Sequence, residues 1–260
     1  VWRYSMYPII KKEKLADKIY LMDVKAERVA KSAKPGQFVI VKIDEEGERI
    51  PLTICDYDEK AGTVTIVFQT VGASTERMAY LEEGDTFQDF VGPLGCPSDL
   101  IEEDIEELKK KKIVFIAGGV GTAPMLYLGE QLAKNGHKPT FLLGARSDKD
   151  LLQLEEFVKY GEVYTTTEDG SHGEKGYVTQ HSILNKVNFE QIYTCGPKPM
   201  MISVAKYAKS KGINCEVSLE NMMACGIGAC LCCVENTTEG HLCVCKEGPV
   251  FNINKLLWQI

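Results

Sequence analysis

The sequence predicts a multidomain α+β protein: an N-terminal antiparallel β-barrel, a doubly wound α/β parallel sheet, and a small C-terminal segment held together by a metal centre. Three observations carry this. Short strand-like runs separated by turn residues fill the chain to about Gly95, apolar strands then alternate with helical stretches, and six of the ten cysteines crowd between Cys225 and Cys245. The expected boundaries are residues 1–99, 100–213 and 214–260.

The barrel comes first. From about Tyr4 the runs are short, as in Gln37-Phe-Val-Ile-Val-Lys-Ile43 and Thr63-Val-Thr-Ile-Val-Phe68, with Gly62, Gly84-Asp85 and Gly92-Pro93 as punctuation. Six or so such strands with no long helical pattern close most simply as a barrel. The pattern then changes at Ile113-Val-Phe-Ile-Ala117, a continuous apolar strand followed by a helix over Met125 to Asn135. Strands at Thr140–Gly144, Glu162–Thr166 and Gln191–Cys195 alternate with helices at Leu151–Tyr160 and Pro199–Lys211. The segment from about Glu216 is too short to bury a core of its own and needs a metal to hold it.

Composition narrows the function classes. At 260 residues and 44% hydrophobic content the chain has enough apolar material for a core. A formal charge of −7 argues against a nucleic-acid partner, because phosphate binding needs a clustered Lys/Arg surface. The run Lys109 to Lys112 follows Glu102, Glu103, Asp104, Glu106 and Glu107, which reads as a solvated helix with acid near its start and base near its end. No apolar run reaches the roughly 18 residues of a membrane span, and Val1 to Glu13 lacks the apolar core of a secretory signal, so a cytoplasmic, membrane-free protein is expected. In a reducing compartment, crowded cysteines point to a metal rather than to disulfides.

Three places carry chemistry. Gly118-Gly119-Val120-Gly121-Thr122 lies between an apolar strand and a helix, where glycines let the backbone approach a pyrophosphate and leave amides free at the helix start. A plain strand-to-helix turn is the competing reading, since the three spaced glycines of the dinucleotide fingerprint are not there. Cys195-Gly196-Pro197 ends a later strand of the same sheet, so both loops can face one crevice, although a buried small residue is the bland reading of Cys195. The third place is the cysteine cluster. Cys225, Cys230 and Cys233 reproduce the C-x4-C-x2-C spacing of plant-type [2Fe–2S] proteins, and Cys245, eleven residues further on, is the expected fourth ligand. Gly226, Gly228 and Ala229 supply a bendable loop whose amides can point at sulfur. A structural zinc site is the alternative, but it wants two Cys pairs two to four residues apart. Cys232 and Cys243 are left as spare thiols.

With barrel, sheet and cluster in this order, the chain resembles the ferredoxin-reductase superfamily and, more closely, the electron-transfer subunits of class 1B dihydroorotate dehydrogenases. Val217-Ser-Leu-Glu-Asn-Met-Met-Ala-Cys-Gly-Ile-Gly-Ala-Cys230 and Val244-Cys-Lys-Glu-Gly-Pro-Val-Phe251 are similar to that family's cluster segment. Glu168-Asp169-Gly170-Ser171 and Cys195-Gly196-Pro197-Lys198-Pro199-Met200 are similar to its nucleotide domain. The resemblance implies FAD between barrel and sheet, NAD(H) on the sheet domain, and a [2Fe–2S] cluster passing electrons to or from an FMN-containing catalytic subunit in a heterotetramer serving pyrimidine biosynthesis. It implies that Pro51, Leu52 and Thr53 lie against the flavin and that Gly72, Ser74 and Thr75 lie at the FAD phosphates.

Arg49 is expected to bind the cofactor with these residues, but its position departs from the family's pattern. The family places Arg directly before the Pro of its Arg-Pro-X-Ser/Thr motif, whereas here Ile50 holds that place and Arg49 comes one residue earlier. Arg49-Ile-Pro-Leu-Thr53 and Gly92-Pro-Leu-Gly95 resemble instead the small subunit of the electron-bifurcating NADH-dependent ferredoxin:NADP oxidoreductase, which usually has Asp at the position of Cys225. A regulatory metal-binding protein that has kept the nucleotide fold is the rival of another class. Glu168 and Asp169 predict a preference for NAD(H), because acidic side chains accept ribose hydroxyls and repel an extra phosphate; Arg146 works against this. No catalytic group for an organic substrate is expected, and His137, His172, His181 and His241 are read as surface residues.

Overall fold

A computed structural model describes residues 7–101 and 103–258. Tyr4, where the predicted barrel begins, and Glu102 of the acidic run lie outside the described residues. The chain divides into two compact units: Val1–Pro97 with Glu220–Glu235 and His241–Pro249, and Ser98–Leu219 with Asn236–Gly240 and Val250–Ile260.

The first unit is built on seven strands, β1 (Tyr7–Ala16), β2 (Ile19–Lys25), β3 (Phe38–Lys42), β4 (Ile50–Asp58), β5 (Thr63–Gln69), β6 (Thr86–Phe87) and β7 (Asp89–Leu94), in the order β6-β1-β2-β5-β4-β3-β7. All pairings are antiparallel. The chain leaves β6, paired with β1, and enters β7, paired with β3, through Gln88, whose amide donates to Lys42 O (3.0 Å). One residue therefore carries the chain from one edge of the sheet to the other, which nearly closes the barrel. Alternation does the rest: Met22 and Val24 of β2, and Val64, Ile66 and Phe68 of β5, are buried in its core with Phe87 and Phe90, while Thr63 and Thr65 are only partly covered. Two short helices, α1 (Glu27–Ala30) and α2 (Ala73–Ala79), sit in its connections.

The second unit carries α3 (Ile105–Leu108), β8 (Ile113–Gly118), α4 (Thr122–Lys134), β9 (Thr140–Ala145), α5 (Leu154–Tyr160), β10 (Glu162–Thr167), β11 (Glu174–Lys175), α6 (Ile183–Lys186), β12 (Gln191–Cys195), α7 (Lys198–Lys211) and β13 (Asn214–Ser218). Later in the chain come β14 (Val234–Thr237) and β15 (Gly240–Cys243), each with residues of both units, then α8 (Val244–Glu247) of the first unit and β16 (Val250–Asn252) of the second. The large sheet runs β11-β10-β9-β8-β12-β13-β16, parallel except for β16, and β14 and β15 form a two-stranded sheet. β8 is buried along its whole length because helices cover both faces of a parallel sheet. Phe115, Phe141 and Tyr193 stack across three neighbouring strands at 5.5 and 5.3 Å, and Gly129 of α4 gives Phe141 its room, since a Cβ there would lie 2.4 Å from the ring. The acidic-basic run folds as expected: Asp104 caps α3, and Lys109, Lys110 and Lys111 pair with Glu106, Glu107 and Glu103.

Two expectations are corrected. α4 starts at Thr122, three residues before Met125, because Pro124 falls in its first turn, where the missing amide costs nothing. His137 and His181 are buried, 7% and 6% exposed, rather than on the surface. His137 Nε2 bonds Lys111 O (2.9 Å), and His181 Nδ1 accepts from Ile183 N (3.0 Å) with its ring edge-on to Tyr164. Burial lowers the pKa of His181, against a smaller opposing pull from Glu174.

Candidate functional site

The cysteine-rich loop belongs to the barrel unit. Cys225 Sγ accepts from the amides of Ile227 (3.5 Å), Ala229 (3.3 Å) and Cys230 (3.4 Å). Gly228 N donates to Cys245 Sγ (3.1 Å) and Cys245 N to Cys233 Sγ (3.3 Å). Such a nest of N–H groups stabilises negative sulfur, and the amides of Ile227 and then Cys230 pull the Cys225 thiol down to about 6. Cys245 goes the other way, to about 12, first because it is buried and then because its thiol bonds Cys233. Cys230 therefore lies beside Cys225, and both Cys245 and Cys243 lie beside Cys233. Among the described residues no three His, Cys, Asp or Glu side chains are gathered closely enough to hold a metal ion as they stand. Soft thiols in the C-x4-C-x2-C spacing, with backbone amides directed at Cys225, Cys233 and Cys245, fit a [2Fe–2S] cluster better than a zinc ion, which wants two Cys pairs two to four residues apart. Of the spare thiols, Cys232 is exposed, whereas Cys243 is buried against Cys233 with its Sγ 3.8 Å from Gly228 O. Burial first, then the sulfur of Cys233, raises the pKa of Cys243.

Neighbouring barrel elements hold this loop. Gly226 has φ +75° and is buried where a Cβ would come within 2.6 Å of Ile40 and 2.9 Å of Leu94, so the loop needs glycine there twice over, for conformation and for space. Cys96 N donates to Gly248 O (2.6 Å). Arg49, a predicted cofactor residue, donates from Nε to Ala224 O (2.7 Å) and pairs with Asp89 (3.5 Å). Sequence reading missed this link because 175 residues separate its partners and no local pattern marks it.

Pro51, Leu52 and Thr53 lie side by side in β4, each partly exposed, opposite Ile40, Val39 and Phe38 of β3. Gly72 caps α2. Thr75 Oγ1 accepts from the amides of Val71 (2.9 Å) and Gly72 (3.1 Å) and donates to Gly72 O (2.9 Å), so its hydroxyl is spent on its own turn. Ser74 Oγ donates to Glu48.

In the sheet unit, β8 and β12 are neighbours and deliver the two predicted loops together. Gly121 lies so close to the Cys195-Gly196 backbone that a Cβ would sit 2.5 Å from Cys195 C and 2.6 Å from Gly196 N; a Cβ on Gly118 would meet Met200 at 2.9 Å and Pro197 at 3.6 Å. Thr122 Oγ1 closes the turn by donating to Gly119 O (2.8 Å), and α4 begins there with its first-turn amides unpaired within the helix. Gly118, Gly119, Gly121, Thr122, Cys195, Gly196 and Pro197 therefore lie together at the C-terminal ends of β8 and β12, the end at which open parallel sheets bind ligands. Glu168 and Asp169 follow β10 at the same end of the sheet. Asp169 Oδ1 accepts from Ser171 Oγ (2.6 Å) and Ser171 N (2.9 Å), which lowers its pKa, while Glu168 is exposed.

Comparison with known proteins agrees with this geometry. Residues 220–257 match the iron-sulfur cluster binding domain of dihydroorotate dehydrogenase B, and residues 115–206 match the oxidoreductase NAD-binding domain. An uncharacterized protein of Clostridium beijerinckii is 46% identical over 95% of this chain and 85% of its own length. The dihydroorotate dehydrogenase B (NAD(+)) electron transfer subunit of Listeria innocua is 37% identical over 95% of this chain and 96% of its own, and that of Shouchella clausii 34% over 96% of each. A chain of the NADH-dependent reduced ferredoxin-NADP oxidoreductase structure, solved in work on flavin-based electron bifurcation, superposes with a TM-score of 0.86 at 31% identity, covering 99% of this chain and 92% of its own.

Proposed function

The chain belongs to the family of dihydroorotate dehydrogenase B electron transfer subunits, and from that premise we propose that it relays electrons between NAD(H) and a catalytic partner through FAD and a [2Fe–2S] cluster. It is an oxidoreductase subunit with an NAD-binding domain and an iron–sulfur-binding domain. The single observation that carries the relay is the thiol cluster on the same unit as the barrel, with backbone amides donating to Cys225, Cys233 and Cys245.

The chemistry requires a flavin, since NADH gives two electrons as hydride, an iron–sulfur centre takes one, and FAD exchanges both ways. The residues of this chain do the holding. Pro51, Leu52 and Thr53 are the stretch of β4 that would lie against the flavin, and Ser74 with the first-turn amides of α2 beside Gly72 would face its phosphates, Thr75 fixing the turn. The glycine turn and the start of α4 receive the pyrophosphate of NAD(H), with Cys195-Gly196-Pro197 forming the other wall. Glu168 is the free carboxylate for a ribose hydroxyl, and Asp169, held by Ser171, shapes the loop. Cys225, Cys230, Cys233 and Cys245 hold the cluster. The proposed partner is an FMN-containing dihydroorotate dehydrogenase catalytic subunit, joined in a heterotetramer that serves pyrimidine biosynthesis.

A second reading, favoured by Arg49-Ile-Pro-Leu-Thr53 and by the bifurcating oxidoreductase among its structural relatives, keeps the same relay and changes the large subunit. Purifying the native complex and identifying that subunit decides between them. A purified chain lacking flavin, or one whose visible flavin band does not bleach with NADH, would refute both in favour of a regulatory protein. No described helix is long and apolar enough to cross a membrane.

A further inference from the structure

We propose that Arg49 is a positioning residue that clamps the cluster-binding loop to the barrel, and that its guanidinium serves Cys225 rather than a cofactor phosphate. The inference rests on the iron–sulfur reading of that loop. Ile50 and Leu52 pack against the barrel core, so alternation turns Arg49 to the opposite side of the strand, outward. There its Nε meets Ala224 O at 2.7 Å, one residue before Cys225. Asp89, at the start of β7, lies 3.5 Å from Nη1 and fixes the guanidinium from the other side. β3 runs between the two strands that these residues introduce, and Ile40 of β3 is what Gly226 packs upon.

The mechanical consequence follows from the order of the loop. Ala224 is tied by Arg49 and Gly226 is pinned against Ile40 and Leu94, so the residue between them, Cys225, is fixed from both sides. The amides of Ile227, Ala229 and Cys230 reach Cys225 Sγ only if that short turn keeps its shape. Releasing Ala224 lets the turn open, weakens the nest about one ligand and exposes the cluster to solvent and chelator. A bond from an ionised donor is about twice as strong as a neutral one, and the neighbouring Asp89 pre-orients it.

The test uses the full chain with its cofactors, as wild type and as Arg49→Gln, Arg49→Lys and Asp89→Asn. Flavin per chain, iron and sulfide per chain, the rate of iron loss to a chelator, and hydrogen exchange of the amides at residues 225–231 are measured together. In Arg49→Gln the flavin content holds while iron loss accelerates roughly tenfold or more and exchange in 225–231 speeds up. Arg49→Lys, which keeps a charged donor but not the fork, recovers part of the difference, and Asp89→Asn shows a smaller effect. Loss of flavin from Arg49→Gln with iron loss unchanged would make Arg49 a phosphate ligand and overturn the proposal. Unchanged exchange and iron loss would overturn it as well. If the wild-type chain holds no cluster, the iron–sulfur reading fails by itself, and exchange in the metal-free chains still decides whether Arg49 orders the loop.

Discussion

At the level of single residues, spacing rather than burial separates the proposed cluster ligands from the spare thiols, since Cys230 and Cys232 are both exposed and Cys243 and Cys245 are both buried. Cys225, Cys230, Cys233 and Cys245 are the proposed ligands, and replacing any one by Ser is expected to abolish stoichiometric iron and sulfide, whereas Cys232→Ser retains both. Cys243→Ser also keeps the cluster, although its contact with Cys233 changes the cluster spectrum; iron analysis and electron paramagnetic resonance read the two effects separately. Loss of iron in Cys232→Ser with retention in Cys233→Ser would reverse the assignment. A second residue-scale effect comes from Glu216, 3% exposed on β13, with Ser98 Oγ bonded to its carboxyl at 2.9 Å. Burial raises its pKa to about 7 despite that bond, so the fold favours the protonated acid. Below about pH 4.5 both folded and unfolded states hold the proton and the benefit is full; it drains away as pH rises toward 7, by up to about 3 kcal/mol. Glu216→Gln should flatten that decline, which denaturant unfolding at about pH 5 and pH 8 checks. The cysteine spacing was legible because cluster ligands obey a local rule. The burial of His137, His181 and Glu216 was not, since each depends on a helix or strand that arrives from elsewhere in the chain.

Among elements, the second sheet was the most legible, because parallel strands covered on both faces are continuous apolar runs: Ile113–Ala117 and Gln191–Cys195 reappear as β8 and β12 almost residue for residue. The start of α4 was not, since Gly-Thr-Ala-Pro looks like a breaker until Pro124 is placed in a first turn. The contact of the two loops was expected from topology, but the demand on Gly121 needed coordinates. Gly121→Ala would drive a methyl into the Cys195 backbone, which cannot yield as a side chain tip does. The expected result is a rise in the NADH concentration needed for half-maximal reduction, about tenfold or more, equivalent to about 1.4 kcal/mol, with iron and flavin content unchanged. The acidic end of β10 makes a separate prediction, NADH over NADPH, narrowed now to Glu168 because Ser171 occupies Asp169. Glu168→Gln should reduce that preference, and comparable catalytic efficiency of the unaltered chain with NADPH and NADH would refute it.

For the whole molecule, what matters is which functions the chain can complete alone. It has an NAD-binding domain and an iron–sulfur-binding domain, which on the proposed relay are the entrance and the exit for electrons. What an organic substrate would need is a positioned acid or base, and the histidines do not supply one. His137 bonds a backbone carbonyl, His181 is buried against Tyr164 with its Nδ1 accepting a backbone amide, and His172 pairs with Asp148 at 2.9 Å on a surface loop. Glu216, the carboxyl raised to about 7, is 3% exposed and committed to Ser98. The purified chain, with flavin and cluster verified, should therefore reduce ferricyanide with NADH yet fail to oxidise dihydroorotate, and adding the catalytic subunit should restore dihydroorotate-dependent NAD reduction. Steady-state rates with each pair of substrates, before and after that addition, measure this. Turnover of dihydroorotate by the lone chain at a rate comparable with its NADH oxidation would mean that the electrons end their path inside this subunit, and the reading of its thiol nest as an exit would fall.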